Sequence, residues 1–259
     1  MPTILFDKIV FGPVKSRRLG VSLGMNLLPR DGKLCSFDCI YCECGLNDER
    51  KTKTRIPTRE EAKKELEETL LAMQAEGTAP DVITFAGNGE PTMHPKFAEI
   101  IDDTIELRNR YFPKAKIAVL SNATMIKKQS VFDALLKVDD PILKLDSVLD
   151  SRIRQIDRPA SPSFTIEWLV ENLCRFEGRI IIQTMFLNGE YEGKSVSNMT
   201  EEEISGWIAA LKTIKPRQVM IYTVERETPV KGLRKATKEE LDTIADRARK
   251  EGFDVSVSY

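Results

Sequence analysis

The chain has one histidine, His94, and five cysteines, four of which fall within ten residues, so residues suited to metal and nucleophile chemistry are scarce outside one short stretch. Long apolar runs are missing as well. No segment approaches the roughly 20 apolar residues that a bilayer span needs, and "MPTILFDKIVFGPVKSRR" has no basic start leading into an apolar stretch. A cytoplasmic protein without membrane attachment is expected. An excess of one charge is also lacking: 39 Lys and Arg face 40 Asp and Glu. Net charge therefore gives no general case for a nucleic-acid binder, although a local basic patch remains compatible with one. An odd number of cysteines without an export signal argues against a disulfide framework. A chain of 259 residues can bury roughly 70–75% of its unfolded surface without such staples.

What the sequence does have is alternation. "TREEAKKELEETLLAMQAEG" opens with a capping box, Thr58 and Glu61, and carries Ala62, Leu66, Leu70 and Met73 on one face before stopping at Gly77. "DVITFA" follows as a short apolar run, then a helix from about Pro95 to Arg110. "KIAVLS", "PILKLD", "RIIIQTMFL", "QVMIYTV" and "FDVSVSY" read as further buried strands. Helices between them begin near Ser130, Phe164, Thr200 and Thr237, and the last two carry capping boxes with Glu203 and Glu240. With "GVSLGMNLL" as first strand this gives about six βα units, hence a parallel α/β architecture, either a barrel or an open doubly wound sheet. No linker or repeat divides the chain, so residues 1–259 are expected to form a single domain. The residues before the first helix, rich in Gly, Pro and basic side chains, read as functional loop.

Cys35, Cys39 and Cys42 have the spacing C-x-x-x-C-x-x-C in a loop of about residues 31–50, after the first strand and before the first helix. In a βα protein that loop lies at the C-terminal face of the strands, where sites are built. Three close thiolates can hold three irons of a four-iron cluster and leave the fourth open to an external ligand. A zinc site completed by Cys44 or His94 is the alternative, although zinc sites more often come as two separated C-x-x-C pairs. Cys174, in "TIEWLVENLCRF", is read as core beside Ile166, Val170 and Leu173. His94 is read as a surface loop residue, with a proton relay as the functional alternative.

"CSFDCIYC" is similar to the cluster loop of the radical S-adenosylmethionine superfamily, and "GNGEP" to that superfamily's Gly-Gly-Glu-Pro. The resemblance covers nearly the whole chain. It implies a partial (β/α)6 TIM-like barrel with an N-terminal cluster-binding loop, in which a [4Fe-4S] cluster on Cys35, Cys39 and Cys42 leaves one iron for S-adenosylmethionine. Electron transfer would then cleave the sulfonium and release a 5′-deoxyadenosyl radical for hydrogen abstraction. By the same resemblance Tyr41 contacts the adenine, and Gly87, Asn88, Gly89 and Glu90 surround the methionine amino group. Ser121 and Asn122 fall near the ribose hydroxyls, Lys144 near the cofactor carboxylate, and Gln183 is a further cofactor candidate, like Thr184 beside it. Asn88 stands where the first glycine usually is. Lys144, costly to bury unpaired, either faces a charged ligand or pairs with Asp146 or Glu90; Gln183 and Thr184 have a core hydrogen-bonding role as alternative. "FGPVKSRRLGVSLGMNLLP" and "VMIYTVERETP" resemble one single-cluster subgroup, loosely related to wyosine-type tRNA-modifying enzymes.

Lys15, Arg17, Arg18 and Arg226 are candidate contacts for a substrate anion, or clamps on acidic neighbours. They suit a small anionic substrate such as a nucleotide, and with the resemblance the expectation is a lyase or oxidoreductase acting on a substrate of nucleoside, nucleotide or tRNA-base type. Only Cys44 and Cys174 lie outside the triad, so no second cluster is expected and an external reductant such as flavodoxin or ferredoxin must supply the electron. Two rival readings are an activase that makes a glycyl radical on a partner protein, and an Fe–S electron carrier or zinc-binding module.

Overall fold

Each apolar run in the sequence becomes a strand of one sheet. The computed structural model describes residues 4–16 and 18–259, so the candidate Arg17 lies outside the described residues. In chain order the elements are β1 (Val10–Ser16), β2 (Gly20–Met25), α1 (Arg59–Ala75), β3 (Val82–Phe85), α2 (Phe97–Tyr111), β4 (Lys116–Ser121), α3 (Gln129–Lys137) and β5 (Asp140–Lys144). There follow α4 (Asp150–Ile156), α5 (Ile166–Cys174), β6 (Ile181–Met185), β7 (Leu187–Tyr191), β8 (Lys194–Ser195), α6 (Glu201–Ile214), β9 (Gln218–Tyr222), β10 (Leu233–Lys235), α7 (Lys238–Lys250) and β11 (Val255–Ser258).

Eight strands form the main sheet in the order β1-β2-β3-β4-β5-β6-β9-β11, curled into a half-barrel. β1 is antiparallel to β2, and every other neighbouring pair is parallel. The order decides between the two architectures open to the sequence, because a doubly wound sheet reverses its strand order at a switch point and this one never does. Side chains on successive residues face opposite sides of the sheet. Ile83, Ile117, Val119, Leu143, Ile182, Val219 and Ile221 accordingly join the large core beneath the helices. Val82, Ala118, Ile142, Ile181 and Met220 form a separate small core on the inner face, closed by Leu19 and Leu120. Further along the strands the inner face turns polar with Ser22, Thr84, Lys144, Gln183 and Tyr222. The half-barrel thus has an apolar floor and a polar mouth.

Helix starts follow the sequence except at one cap. Thr58 and Glu61 form the capping box of α1, and Thr237 and Glu240 that of α7. At α6 only half of it forms: Thr200 accepts from Glu203 N, while the buried Glu203 carboxylate accepts from Ser147 Oγ at 2.8 Å and Val148 N at 3.2 Å. A buried carboxylate settles where more donors reach it. Five elements escape the periodicity. β1 carries Gly12 and Pro13 and is mostly exposed, α4 has only seven residues, and β7, β8 and β10 make a small antiparallel sheet leaving the C-terminal end of β6. Among the described residues no helix is long and apolar enough to cross a membrane.

Candidate functional site

Two loops at the C-terminal ends of β2 and β3 are stitched together. Leu34 pairs with Gly89 in a parallel bridge; Leu34 N donates to Asn88 O at 2.9 Å and Glu90 N to Leu34 O at 3.1 Å. Glycine is required at 89: its φ is +136°, and a Cβ would stand 1.9 Å from Leu34 O. On its other side the cysteine loop pairs with the segment after α4. Ala160 N donates to Ser36 O at 2.8 Å, Asp38 N to Asp157 O at 2.9 Å and Ile40 N to Ile156 O at 2.9 Å. The cysteines are therefore held by backbone bonds from both flanks before any ligand is considered.

All five cysteines are free. Cys35 Sγ receives Phe37 N at 3.5 Å and Asn122 Nδ2 at 3.7 Å. The buried Cys39 lies 3.2 Å from Asp157 Oδ1 and 3.5 Å from Lys144 Nζ. Burial pushes the Cys35 thiol up to about 12 and Cys39 well above the ordinary thiol range. Cys42 moves the other way, pulled down chiefly by a hydrogen bond from the Cys44 thiol, against its burial and with help from Lys33; the same bond, with burial, raises Cys44. Lys33 is buried in the same loop, its Nζ donating to Gly45 O at 2.8 Å. Among the described residues no three His, Cys, Asp or Glu side chains surround a single-ion position. His94 is not at the surface: it is buried, Nδ1 accepts from Lys96 N at 3.1 Å, and Nε2 therefore donates to Pro57 O at 2.8 Å. Both ring nitrogens are committed, which removes His94 from any zinc shell.

Asn88 departs from glycine without strain, since its backbone has no positive φ. Its side chain turns away from the mouth: Nδ2 donates to Phe6 O at 2.9 Å and Pro29 O at 2.8 Å, and Oδ1 accepts from Phe6 N at 2.8 Å. Glu90 is fully enclosed and accepts from Thr92 N at 3.1 Å, the Thr92 hydroxyl, Ser121 Oγ at 2.8 Å and Asn122 N at 2.6 Å. Three of these donors share Oε1 and only Asn122 N reaches Oε2, so Oε2 keeps a lone pair with which it can accept from an amino group. Burial raises the Glu90 carboxyl against these bonds.

Lys144 pairs with Asp146 Oδ2 at 3.4 Å and Asp157 Oδ1 at 3.3 Å, not with Glu90, and also touches the Tyr41 hydroxyl. Tyr41 OH donates to Asp146 and bonds Asp157 Oδ1 at 2.9 Å. Burial lowers the Lys144 ammonium, but Asp146 and Asp157 outweigh it and the net shift is upward. Asp157 Oδ2 is buried with no partner. Gln183 and Thr184 separate: Gln183 Oε1 faces the interior and receives Arg18 Nη1 at 3.2 Å, whereas Thr184 is tied in the core by Leu145 O and Trp207 Nε1. Arg18 also lies over the Tyr222 ring at 4.5 Å. Arg226 is clamped at 2.7 Å on Glu43, between Cys42 and Cys44. Lys15 is exposed and lines, with Arg18, Glu43 and Arg226, a cleft of about 400 Å³; a smaller one of about 260 Å³ adjoins Tyr41, Cys42 and Tyr222. Cys174 sits at the core margin, half-buried, with Sγ 3.6 Å from Thr213 O. Sequence reasoning missed Lys33, Asp157 and Tyr222. Lys33 had a signal, its place two residues before Cys35; Asp157 had none, since only the fold brings α4 to the cysteine loop.

The family model described as the radical SAM superfamily matches residues 32–194. A protein of Brachyspira hyodysenteriae named GTPase Obg is 31% identical over 92% of this chain, which spans 33% of that protein. A UPF0026 protein of Helicobacter pylori is 32% identical over 86% of this chain and 68% of its own. Among solved structures, a radical SAM methyltransferase from Sphaerobacter thermophilus superposes with a TM-score of 0.68 at 15% identity, covering 92% of this chain and 66% of that one. TYW1 with a lysine–pyruvate adduct bound superposes at 0.61 and 14% identity, covering 90% and 74%.

Proposed function

The chain belongs to the radical SAM superfamily, and from that membership we propose that it cleaves S-adenosylmethionine at the mouth of the half-barrel to abstract hydrogen from a small anionic substrate. It is an enzyme of this class, whose cofactors are a [4Fe-4S] cluster and S-adenosylmethionine. The donor set fits the cluster: Cys35, Cys39 and Cys42 are free thiols on one loop, and among the described residues no group of His, Cys, Asp and Glu side chains makes a single-ion shell. When bound and reduced, the cluster supplies the electron that splits the sulfonium and yields the 5′-deoxyadenosyl radical.

This chain's own residues hold and orient. Asn122 and Lys144 donate to the sulfurs of Cys35 and Cys39, and bonds to ligand sulfurs tune such sites. We assign the Gly87–Glu90 loop and the cleft beside Tyr41 and Tyr222 to the cofactor. Ser121 acts through Glu90, holding the loop against β4. The larger cleft joins Lys15, Arg18 and Arg226 to apolar walls from Phe6, Phe11 and Val14, which suits a molecule of nucleoside or nucleotide type with one anionic group. Only Cys44 and Cys174 remain outside the triad, so the electron comes from an external reductant of flavodoxin or ferredoxin type. β9, α7 and β11 lie beyond the matched residues yet complete the same sheet, which supports one domain over the chain.

The observation that carries this reading is the Leu34–Gly89 pairing, which locks a three-cysteine loop against the Gly-Asn-Gly-Glu-Pro turn. The test is anaerobic reconstitution with iron and sulfide, reduction in the presence of S-adenosylmethionine, and assay of 5′-deoxyadenosine. Wild type should release it and the Cys35→Ala, Cys39→Ala, Cys42→Ala triple variant should not. No release from protein with an intact four-iron spectrum would favour an electron carrier.

A further inference from the structure

Lys33 has no part in the cofactor and substrate contacts assigned above, yet its side chain is only 1% exposed. Nζ donates to Gly45 O at 2.8 Å and lies 3.4 Å from Asp38 Oδ1. Burial of an ammonium is costly unless negative groups compensate it. The neighbours of Lys33 belong to the cysteine loop: Gly45, whose O accepts from Nζ, donates from its own N to Cys42 O at 2.9 Å, and Asp38 is the residue before Cys39. Asp38 is in any case shared: it accepts from Asn47 N at 2.7 Å and faces Arg158 Nη2 at 3.5 Å. Two cations divide one carboxylate, so Lys33 brings an incompletely balanced positive charge into the loop that carries the three thiols.

We propose that Lys33 is a positioning residue for electron uptake, its fixed charge stabilising the reduced form of the cluster held by Cys35, Cys39 and Cys42 and so setting the reduction potential. The inference rests on the assignment of those three ligands and extends it. One electron arrives from the external reductant and adds one negative charge, with no bond made or broken in the protein. Net charge and exposure are the levers on such potentials, and a unit charge acts far more strongly in a buried site than in water.

The experiment is an anaerobic redox titration, followed by electron paramagnetic resonance, of reconstituted wild type, Lys33→Gln and Lys33→Arg without S-adenosylmethionine. Lys33→Gln should keep iron and sulfide, yet its reduced-to-oxidised ratio at a fixed poise should fall at least about ten-fold, equivalent to ~59 mV for one electron. Lys33→Arg should stay near wild type. A Lys33→Gln variant with full cluster content and an unchanged ratio would mean that Lys33 only ties the loop to Gly45, and would overturn the proposal. Should Lys33→Gln retain no iron, Asp38→Asn replaces it: the amide oxygen still accepts from Asn47 N, while the negative charge facing Lys33 is gone. Its ratio should rise; an equal or lower ratio overturns the proposal. Because the readout needs no cofactor cleavage, its failure is distinct from failure of radical formation.

Discussion

Replacing Asn88 by glycine brings the turn nearer to the superfamily's usual Gly-Gly-Glu-Pro, and should nevertheless weaken this protein. The amide makes three bonds, to Phe6 N, Phe6 O and Pro29 O, at 2.8 to 2.9 Å. Phe6 O keeps a second donor in Asn26 Nδ2 at 3.2 Å, and Phe6 is only partly buried, so water repairs part of the loss there. Pro29 O is bonded in a buried setting and bears the heavier cost. At about 0.5–1.5 kcal/mol per bond and more for a buried orphan, with ~0.5–1 kcal/mol for the added freedom of glycine, the total is about 3 kcal/mol. For a chain of this size that is a fall in Tm of roughly 6–12 °C. Urea unfolding followed by circular dichroism measures it, and Asn88→Ala should recover only the glycine part. A loss under about 1 kcal/mol would refute the view that Asn88 staples the N-terminal segment to the turn.

Gly89→Ala should be worse, by more than about 3 kcal/mol, because Cβ meets Leu34 O at 1.9 Å and the two loops must part; a thermally unshifted variant that still holds iron would contradict the pairing argument. Cys44→Ala should keep its iron, while in the metal-free protein the pH midpoint for alkylating Cys42 should rise, since the bond that lowers it is lost; loss of iron would make Cys44 a ligand. His94 is held neutral, its folded pKa lowered first by burial. The unfolded chain then binds the extra proton, so stability should be intact above about pH 6.5 and decline as pH falls through and below it. Urea midpoints measured between pH 7.5 and 5 should lose that component in His94→Gln, and equal slopes in both proteins would count against it.

The strands, most helices and the cysteine triad were legible in the sequence because each depends on local order: apolar period, a threonine with glutamate three residues on, ligand spacing. Glu203 shows the limit of local reading. Its position predicts a capping box, but Ser147 and Val148, 55 or 56 residues away, offer donors in a buried place and win. His94 reads as a loop residue and proves buried because Pro57 O and Lys96 N meet its ring. In the sequence Lys144 is open between a charged ligand and an acidic partner; the structure pairs it with Asp146, and only the approach of α4 to the cysteine loop adds Asp157. The sequence by itself therefore determined the alternating architecture and the thiol chemistry. The barrel, which periodicity left open, was implied by the resemblance of the cysteine and Gly-Asn-Gly-Glu-Pro motifs, and the strand order agrees with it. Tertiary structure alone decided the engagement of Glu90 by β4, the burial of Lys33 within the cysteine loop and the Arg226–Glu43 pair. All of these hang on contacts between residues far apart in the chain, which periodicity and spacing do not encode.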